Sequence, residues 1–462
     1  MEEEKRSRKL VAALVILVAV ALALPVANLV IGPPTSARLA AISTSDPQYA
    51  KALQIMRDKC AACHTPDAPL PFYTLLPGAG AVVREDAETG LKYLDLAAGL
   101  ADDSERPSEV ALAKLEYAIE QKTMPPSKYV ALHWDALFSS ADGEAMLEWI
   151  RQTRARHYAT AGLPAELQQQ VIQPLPTSHS EKAEKVVLGK ALFNDKRLSK
   201  DGSLSCASCH GLDKGGTDRE AVATGVGGAK GPINSPTVYN AVFNVKQFWD
   251  GRAADLKDQA AGPVENPIEM AESWDNVPKK LIADAQLKAA FEKEYPAGIS
   301  KDTITEAIAV FEKTLITPNC RFDRFLRGDA TALDAAEQAG WRLFKANGCA
   351  TCHCGRAMGG QSFEPVGRAA DYFGDRGKVK EADYGRFNAT KREADRYKLK
   401  VPTLRNVALT FPYFHDAAAK ELKDAVRLMA KYQYGKELSA DEIAGIVAFL
   451  KTLTGEYEGK PL

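Results

Sequence analysis

The sequence predicts a mainly α-helical chain in which one long apolar helix precedes three helical units of similar size. Three observations predict it: an uncharged run of 22 residues from Leu10 to Ile31, a Cys-x-x-Cys-His motif that occurs three times at near-equal spacing, and an amphipathic stripe closing each of three segments. With 462 residues the chain is too long for a single core, so several domains are expected. Lys and Arg number 59 against 60 Asp and Glu, a formal net charge of -1. Such a balance offers no field for nucleic acid, and no nucleic-acid partner is expected.

The apolar run comes first. Its length matches the ~20 residues that cross a hydrocarbon core as a helix, and Lys5, Arg6, Arg8 and Lys9 precede it. Short basic tails stay on the cytoplasmic side. The expectation is a cytoplasmic tail over 1–9, a transmembrane anchor over 10–32, and an inner-membrane protein whose bulk lies in the periplasm. A cleaved secretory signal is the other reading, with small residues between Ala21 and Ala27 as cleavage sites.

Six of the eight cysteines fall in Cys60-Ala-Ala-Cys63-His64, Cys206-Ala-Ser-Cys209-His210 and Cys349-Ala-Thr-Cys352-His353. This is the pattern of c-type haem attachment. Two thiols three residues apart can each add to a vinyl group of one porphyrin, and the adjacent His reaches the iron. Zinc half-sites pair over a short loop, whereas these motifs stand 146 and 143 residues apart. Three covalently bound haem c groups are therefore expected, in one transmembrane helix followed by three cytochrome-c-like haem domains. Cys320 and Cys354 remain, either as small buried hydrophobes or as a disulfide pair.

Each unit closes with a helix. Met146, Trp149 and Ile150 share a face after Ser140; Ile304, Ile308, Phe311 and Leu315 form a stripe from about Asp302; Ser439-Ala-Asp-Glu442 is a capping box ahead of Ile443, Ile446, Val447 and Leu450. The Gly-, Pro- and Gln-containing stretch between reads as a linker. Domains are expected over 33–162, 184–318 and 319–462, with the linker over 163–183.

A haem iron whose sixth position is filled by Met passes electrons, whereas a vacant position can bind peroxide. Met124, held by Pro125-Pro126 after a helical stripe, is the candidate sixth ligand for the first haem, and Met429 for the third; Met358 is the rival there. The second unit offers Met270, preceded by Glu269, with Gln259 ten residues earlier. If Met270 binds the iron, the chain is a pure electron carrier. If Glu269 faces the iron instead, a carboxylate can move a proton of peroxide from the near to the far oxygen while the Gln259 amide orients it.

The run Gln247-Phe-Trp-Asp-Gly-Arg252, then Gln259 and Pro267-Ile-Glu269-Met270, together with Leu404-Arg-Asn-Val-Ala-Leu-Thr410-Phe-Pro412-Tyr-Phe-His415, resembles the bacterial di-haem cytochrome c peroxidase family over about Glu184 to Gly455. The added first unit and anchor make the whole chain similar to membrane-bound tri-haem quinol peroxidases. The resemblance implies hydrogen peroxide as substrate, His210 on the peroxidatic haem, Glu269 as acid-base with Gln259 beside it, and His353 with Met429 on a high-potential haem. It further implies Trp249 between these two haems, and a calcium ion at Asn234 and the carbonyls of Thr410 and Pro412. A His that caps the peroxidatic iron in many members has no counterpart in Gly225-Val-Gly-Gly-Ala-Lys-Gly-Pro232, which implies an iron open without prior reduction.

Membrane quinol is the donor the anchor favours, with a small periplasmic cytochrome or copper protein as the alternative. A non-catalytic carrier and a related di-haem oxidase that modifies a protein partner are the rival functions; the oxidase type has Tyr where Met429 stands. A homodimer is the expected assembly.

Overall fold

Helices form where the apolar stripes predict them. The computed structural model describes residues 2–75, 79–101 and 106–462, which divide into two compact units, Met1–Tyr158 and Ala159–Leu462.

In the first unit α1 spans Glu2–Ile31, α2 Pro47–Lys59, α3 Glu109–Glu120 and α4 Ser140–His157. Asp46 caps α2 by accepting the amides of Gln48 and Tyr49, and Ser139 with Asp142 forms a capping box on α4, so each start is fixed by side chains that satisfy otherwise orphaned N–H groups. The Tyr49 ring stacks on Trp149 at 5.1 Å, and Leu53, Met56, Leu112, Met146 and Ile150 complete the core.

The transmembrane helix expected over 10–32 is corrected by the structure: among the described residues no helix is long and apolar enough to cross a membrane. The end of α1 shows why. Pro25 and Asn28 are buried, and the Asn28 amide donates to the Leu132 carbonyl at 2.7 Å, so these turns form part of the first unit's surface. The run from Leu10 to Leu24 gives about 22 Å of helix, short of the ~30 Å of a hydrocarbon core. The length of the uncharged run does not register the single amide within it.

The second unit holds two helical bundles around separate cores. One is built from α5 (Ala183–Phe193), α6 (Leu256–Glu265) and α7 (Lys301–Lys313); the other from α8 (Ala335–Ala346), α9 (Leu422–Tyr434) and α10 (Ala440–Lys451). A short antiparallel ribbon joins β1 (Phe363–Pro365) to β2 (Lys398–Lys400), with Phe363 opposite Lys400. In the second core Phe322 meets Trp341 and Phe449 edge-on, with ring centroids 5.0 and 4.9 Å apart.

The two bundles repeat one another in detail. The first and last helices of each cross at a glycine: a Cβ on Gly189 would lie 2.0 Å from the Ala307 carbonyl oxygen, and one on Gly340 2.0 Å from that of Gly445. Pro236-Thr-Val-Tyr-Asn240 has its counterpart in Pro402-Thr-Leu-Arg-Asn406, and both asparagine amides donate to the hydroxyl of Thr317, at 2.8 and 3.0 Å. Nine residues on in each copy stand Trp249 and His415, whose rings meet edge-on at 6.3 Å.

The stretch 163–183, read as a linker, is packed over Ile172–Leu175. Ile172 belongs to the second bundle's core, Leu175 is fully buried, and Arg405 and Arg327 donate to the carbonyls of Gln173 and Leu175. Glycine and proline mark irregular backbone, which need not be exposed. The exchange is reciprocal: Tyr457 and Leu462, beyond α10, pack against the first bundle, where Tyr457 meets Tyr239.

Candidate active site

Each Cys-x-x-Cys-His motif sits on a tight turn that points the imidazole inward. The His64 Nδ1 lies 3.0 Å from the Leu94 carbonyl, His210 Nδ1 3.3 Å from that of Gly216, and His353 Nδ1 3.1 Å from that of Met358. A carbonyl only accepts, so Nδ1 carries the proton and Nε2 is left as the lone-pair nitrogen that iron needs. Burial lowers all three imidazole pKa values, that of His353 to about 4, which keeps the rings neutral.

Two cavities in the second unit face His353 and His210. One, about 250 Å³, is lined by Cys349, Cys352, His353 and Met429. The other, about 530 Å³, is lined by Cys206, Cys209, His210, Gln259, Glu269 and Met270. Apolar walls, two thiols and a neutral imidazole in each are the donor set and surroundings that covalently attached haem requires, and the residues fit the group. Met358 packs in the core and offers its carbonyl to His353, whereas Met429 shares the cavity with His353. Met124, in the first unit, stands 42% exposed beyond α3.

Glu269 and Gln259 meet in the His210 cavity because α6 carries Gln259 and ends in the turn that presents Glu269. The carboxylate of Glu269 accepts from the Asn266 amide at 2.6 Å. Burial raises its pKa, opposed by Asn266 and the charge of Arg252. Met270 is buried in the bundle core and also touches this cavity. The loop 225–232 closes on itself through Gly225 N to Ala229 O, and Val226 donates its N–H to the Glu269 carbonyl. No imidazole occurs in it.

Trp249 borders both cavities; its indole N–H donates to the Asn234 carbonyl at 2.9 Å, and its own carbonyl accepts from the Lys400 amide. Asn234, Thr410 and Pro412 all line the His353 cavity, with the Asn234 amide nitrogen donating to the Glu220 carbonyl. Cys320 and Cys354 are both buried and no disulfide joins them; Cys320 Sγ accepts from Arg405.

Two charged residues escaped the sequence reading. Glu312 is 4% exposed, lines the His210 cavity, and has one carboxyl oxygen without a partner; burial lifts its pKa to about 8. Its signal was present, since Glu312 follows Ile308 by one turn on the apolar stripe of α7. Lys400 lines both cavities and is buried on a three-residue strand too short to show a period.

Comparison with known proteins accounts for this arrangement. The family profile for di-haem cytochrome c peroxidase matches residues 183–331, that for cytochrome c residues 337–454, and that for a haem-binding domain residues 26–152. The chain is 50% identical over 413 residues to the cytochrome c peroxidase Ccp of Escherichia coli K12, covering 88% of each chain. It belongs to the di-haem cytochrome c peroxidase family. It is thus an oxidoreductase acting on peroxide, with covalently bound haem c as cofactor. A cytochrome c551 peroxidase of Nitrosomonas europaea is 47% identical over 300 residues, 65% of this chain and 88% of the relative. Among solved structures, a MauG-like protein associated with microbial copper homeostasis superposes with a TM-score of 0.55 at 30% identity, covering 64% of this peroxidase and 96% of that chain.

Proposed function

We propose that the chain is a tri-haem peroxidase that reduces hydrogen peroxide to water at the haem held by Cys206, Cys209 and His210. The observation that carries this reading is that Glu269 and Gln259 line the same cavity as His210. The bound haem supplies the iron on which the O–O bond is cleaved. The chain's own side chains handle the protons. The Glu269 carboxylate takes the proton from the near oxygen and returns it to the far one, and the Gln259 amide holds the substrate in line. Two electrons and two further protons complete the conversion of one peroxide to two waters.

In this reading His353 and Met429 would hold the second haem of this unit, which would supply electrons, and Trp249, which borders both cavities, is the residue that would bridge them. His64 and Met124 would hold the first unit's haem, which would supply the entry point for electrons. A calcium ion at Asn234 and the Thr410 and Pro412 carbonyls belongs to the same reading, supported by the oxygen donors those residues bring to one wall. The basic stretch from Lys5 to Lys9 followed by an apolar run supports export to the periplasm. The quinol donor rested on an anchor that the described helices do not provide. The donor proposed is therefore a small reduced cytochrome c, as the names of the relatives suggest. A homodimer belongs to the same reading, and light scattering at the mass of two chains tests it.

The test is steady-state peroxide consumption with reduced cytochrome c in one arm and a quinol analogue in the other, for wild type and Glu269→Gln. The reading expects turnover with the cytochrome and a loss of about 10²- to 10⁴-fold in kcat on substitution. Unchanged turnover in Glu269→Gln would leave the acid-base role without foundation, and turnover with quinol alone would reverse the choice of donor.

A further inference from the structure

Lys400 is an expensive residue where it stands. Its side chain is 6% exposed, and among the described residues no acidic group is close enough to act on its charge; burial alone draws its pKa down to about 8. Of the acidic groups in the wall of the His210 cavity, Asp250 pairs with Arg252 and Glu269 accepts from Asn266. Lys400 is also the one lysine or arginine common to the linings of both cavities; Arg368 and Lys436 reach only the His353 cavity and Arg252 only the His210 cavity.

The internal repeat shows that the fold does not require this charge. Lys400 occupies, in the second bundle, the place that Asn234 occupies in the first: two residues before Pro402 and Pro236 respectively. The backbone amides match as well, Asn234 N donating to the His415 carbonyl at 2.9 Å and Lys400 N to the Trp249 carbonyl at 2.8 Å. A neutral amide side chain satisfies the first position. The ammonium at the second therefore has a task beyond folding.

We infer that Lys400 is the shared counter-charge for the propionates of the two haems that fill these cavities, holding both haems of the second unit at raised potential. The inference rests on the reading that each cavity contains the haem of its own Cys-x-x-Cys-His motif. A haem carries two carboxylates that stay ionised in a largely apolar site only if cations or hydrogen-bond donors face them. An ammonium between two such groups favours the reduced, more negative state of each iron, and it does so for both at once.

The experiment is a spectroelectrochemical titration of the intact holoenzyme for wild type, Lys400→Met, Lys400→Gln and Lys400→Arg, with haem content checked by pyridine haemochrome. In Lys400→Met both haems of the second unit lose reduced form about tenfold at fixed applied potential, equivalent to about 59 mV for a one-electron couple, while the His64 haem is unchanged and Lys400→Arg stays near wild type. Should Lys400→Met fail to load haem, Lys400→Gln reads the same quantity with a polar side chain of similar reach. Unmoved potentials, a shift in one haem only, or an equal shift in all three overturns the inference. Its failure is separable from that of the catalytic reading, because Glu269→Gln is judged by turnover and Lys400 by potential.

Discussion

The backbone N–H of Val226 donates to the carbonyl of Glu269 at 2.8 Å, tying the histidine-free loop to the residue assigned to proton transfer. With Gly225 N also bonded to Ala229 O, this loop is folded upon itself and presents no imidazole to the His210 cavity. The oxidised enzyme is accordingly expected to bind cyanide at one haem at once, seen as a Soret shift, without prior reduction. A need for pre-reduction before any ligand binds would show that another protein atom closes the iron.

Burial raises the pKa of Glu269, and a base must be ionised to accept a proton. The acidic limb of the kcat/KM profile for peroxide should therefore fall above the ordinary glutamate value of 4.5. In Glu269→Gln that limb should vanish from whatever activity remains. A limb unchanged by the substitution assigns it to another group.

Glu312 makes stability depend on pH. Its folded value of about 8 lies above the ordinary 4.5, so the folded state holds this proton more tightly than the unfolded chain. The resulting stabilisation is complete below about 4.5 and is lost as pH rises through about 8. Glu312→Gln should flatten that decline, gaining at least about 1 kcal/mol on wild type at pH 8. Thermal unfolding from pH 5 to 8 measures it, and parallel curves for the two proteins would count against an acid held neutral in this wall.

The helix crossings at Gly189 and Gly340 leave no room for a methyl group. Gly189→Ala and Gly340→Ala should each cost about 1–3 kcal/mol or more, as overpacked cores do. Denaturant titration of the haem-loaded protein gives the value, and neutral substitutions would mean the helices can slide apart without loss.

Asp323 and Arg405 form an ion pair at 2.7 Å with both side chains wholly buried, and Arg405 also reaches the carbonyls of Gln173 and Arg356. Asp323→Asn strands the guanidinium and should destabilise the second unit by about 3–5 kcal/mol. Unfolding of that unit at an unaltered midpoint would refute the assignment.

Much of this arrangement was legible in the residues. Cys-x-x-Cys-His has one dominant chemical meaning, and the closing stripes fixed three helices to within a residue or two: Ser439 and Glu442 form the capping box their spacing promised, at 3.3 and 2.8 Å. Gln259 and Glu269 were named together, and one cavity wall contains both. What escaped depends on contacts distant in sequence. Asn28 is a single polar residue in an apolar run until its bond to Leu132, over a hundred positions away, is known. The likeness of Pro236–Asn240 to Pro402–Asn406 is visible in the residues, but its meaning, a shared bond to the Thr317 hydroxyl, appears only in the fold. Burial of Lys400 could not be read from a strand of three residues.

The reciprocal exchange between the bundles bears on how the chain reaches its native form. Gln173 is synthesised 232 residues before the Arg405 that clasps it, so the strap from Thr160 to Leu175 leaves the ribosome with its principal partner still unmade. Meanwhile the bundle from Ala183 to Lys313 can assemble from its own helices, although Tyr457 and Leu462 reach it only at the very end. Closing a loop of that size early costs entropy before any contact rewards it. The second bundle is thus the last to settle, and a nascent chain halted before Arg405 would carry its strap exposed to proteases.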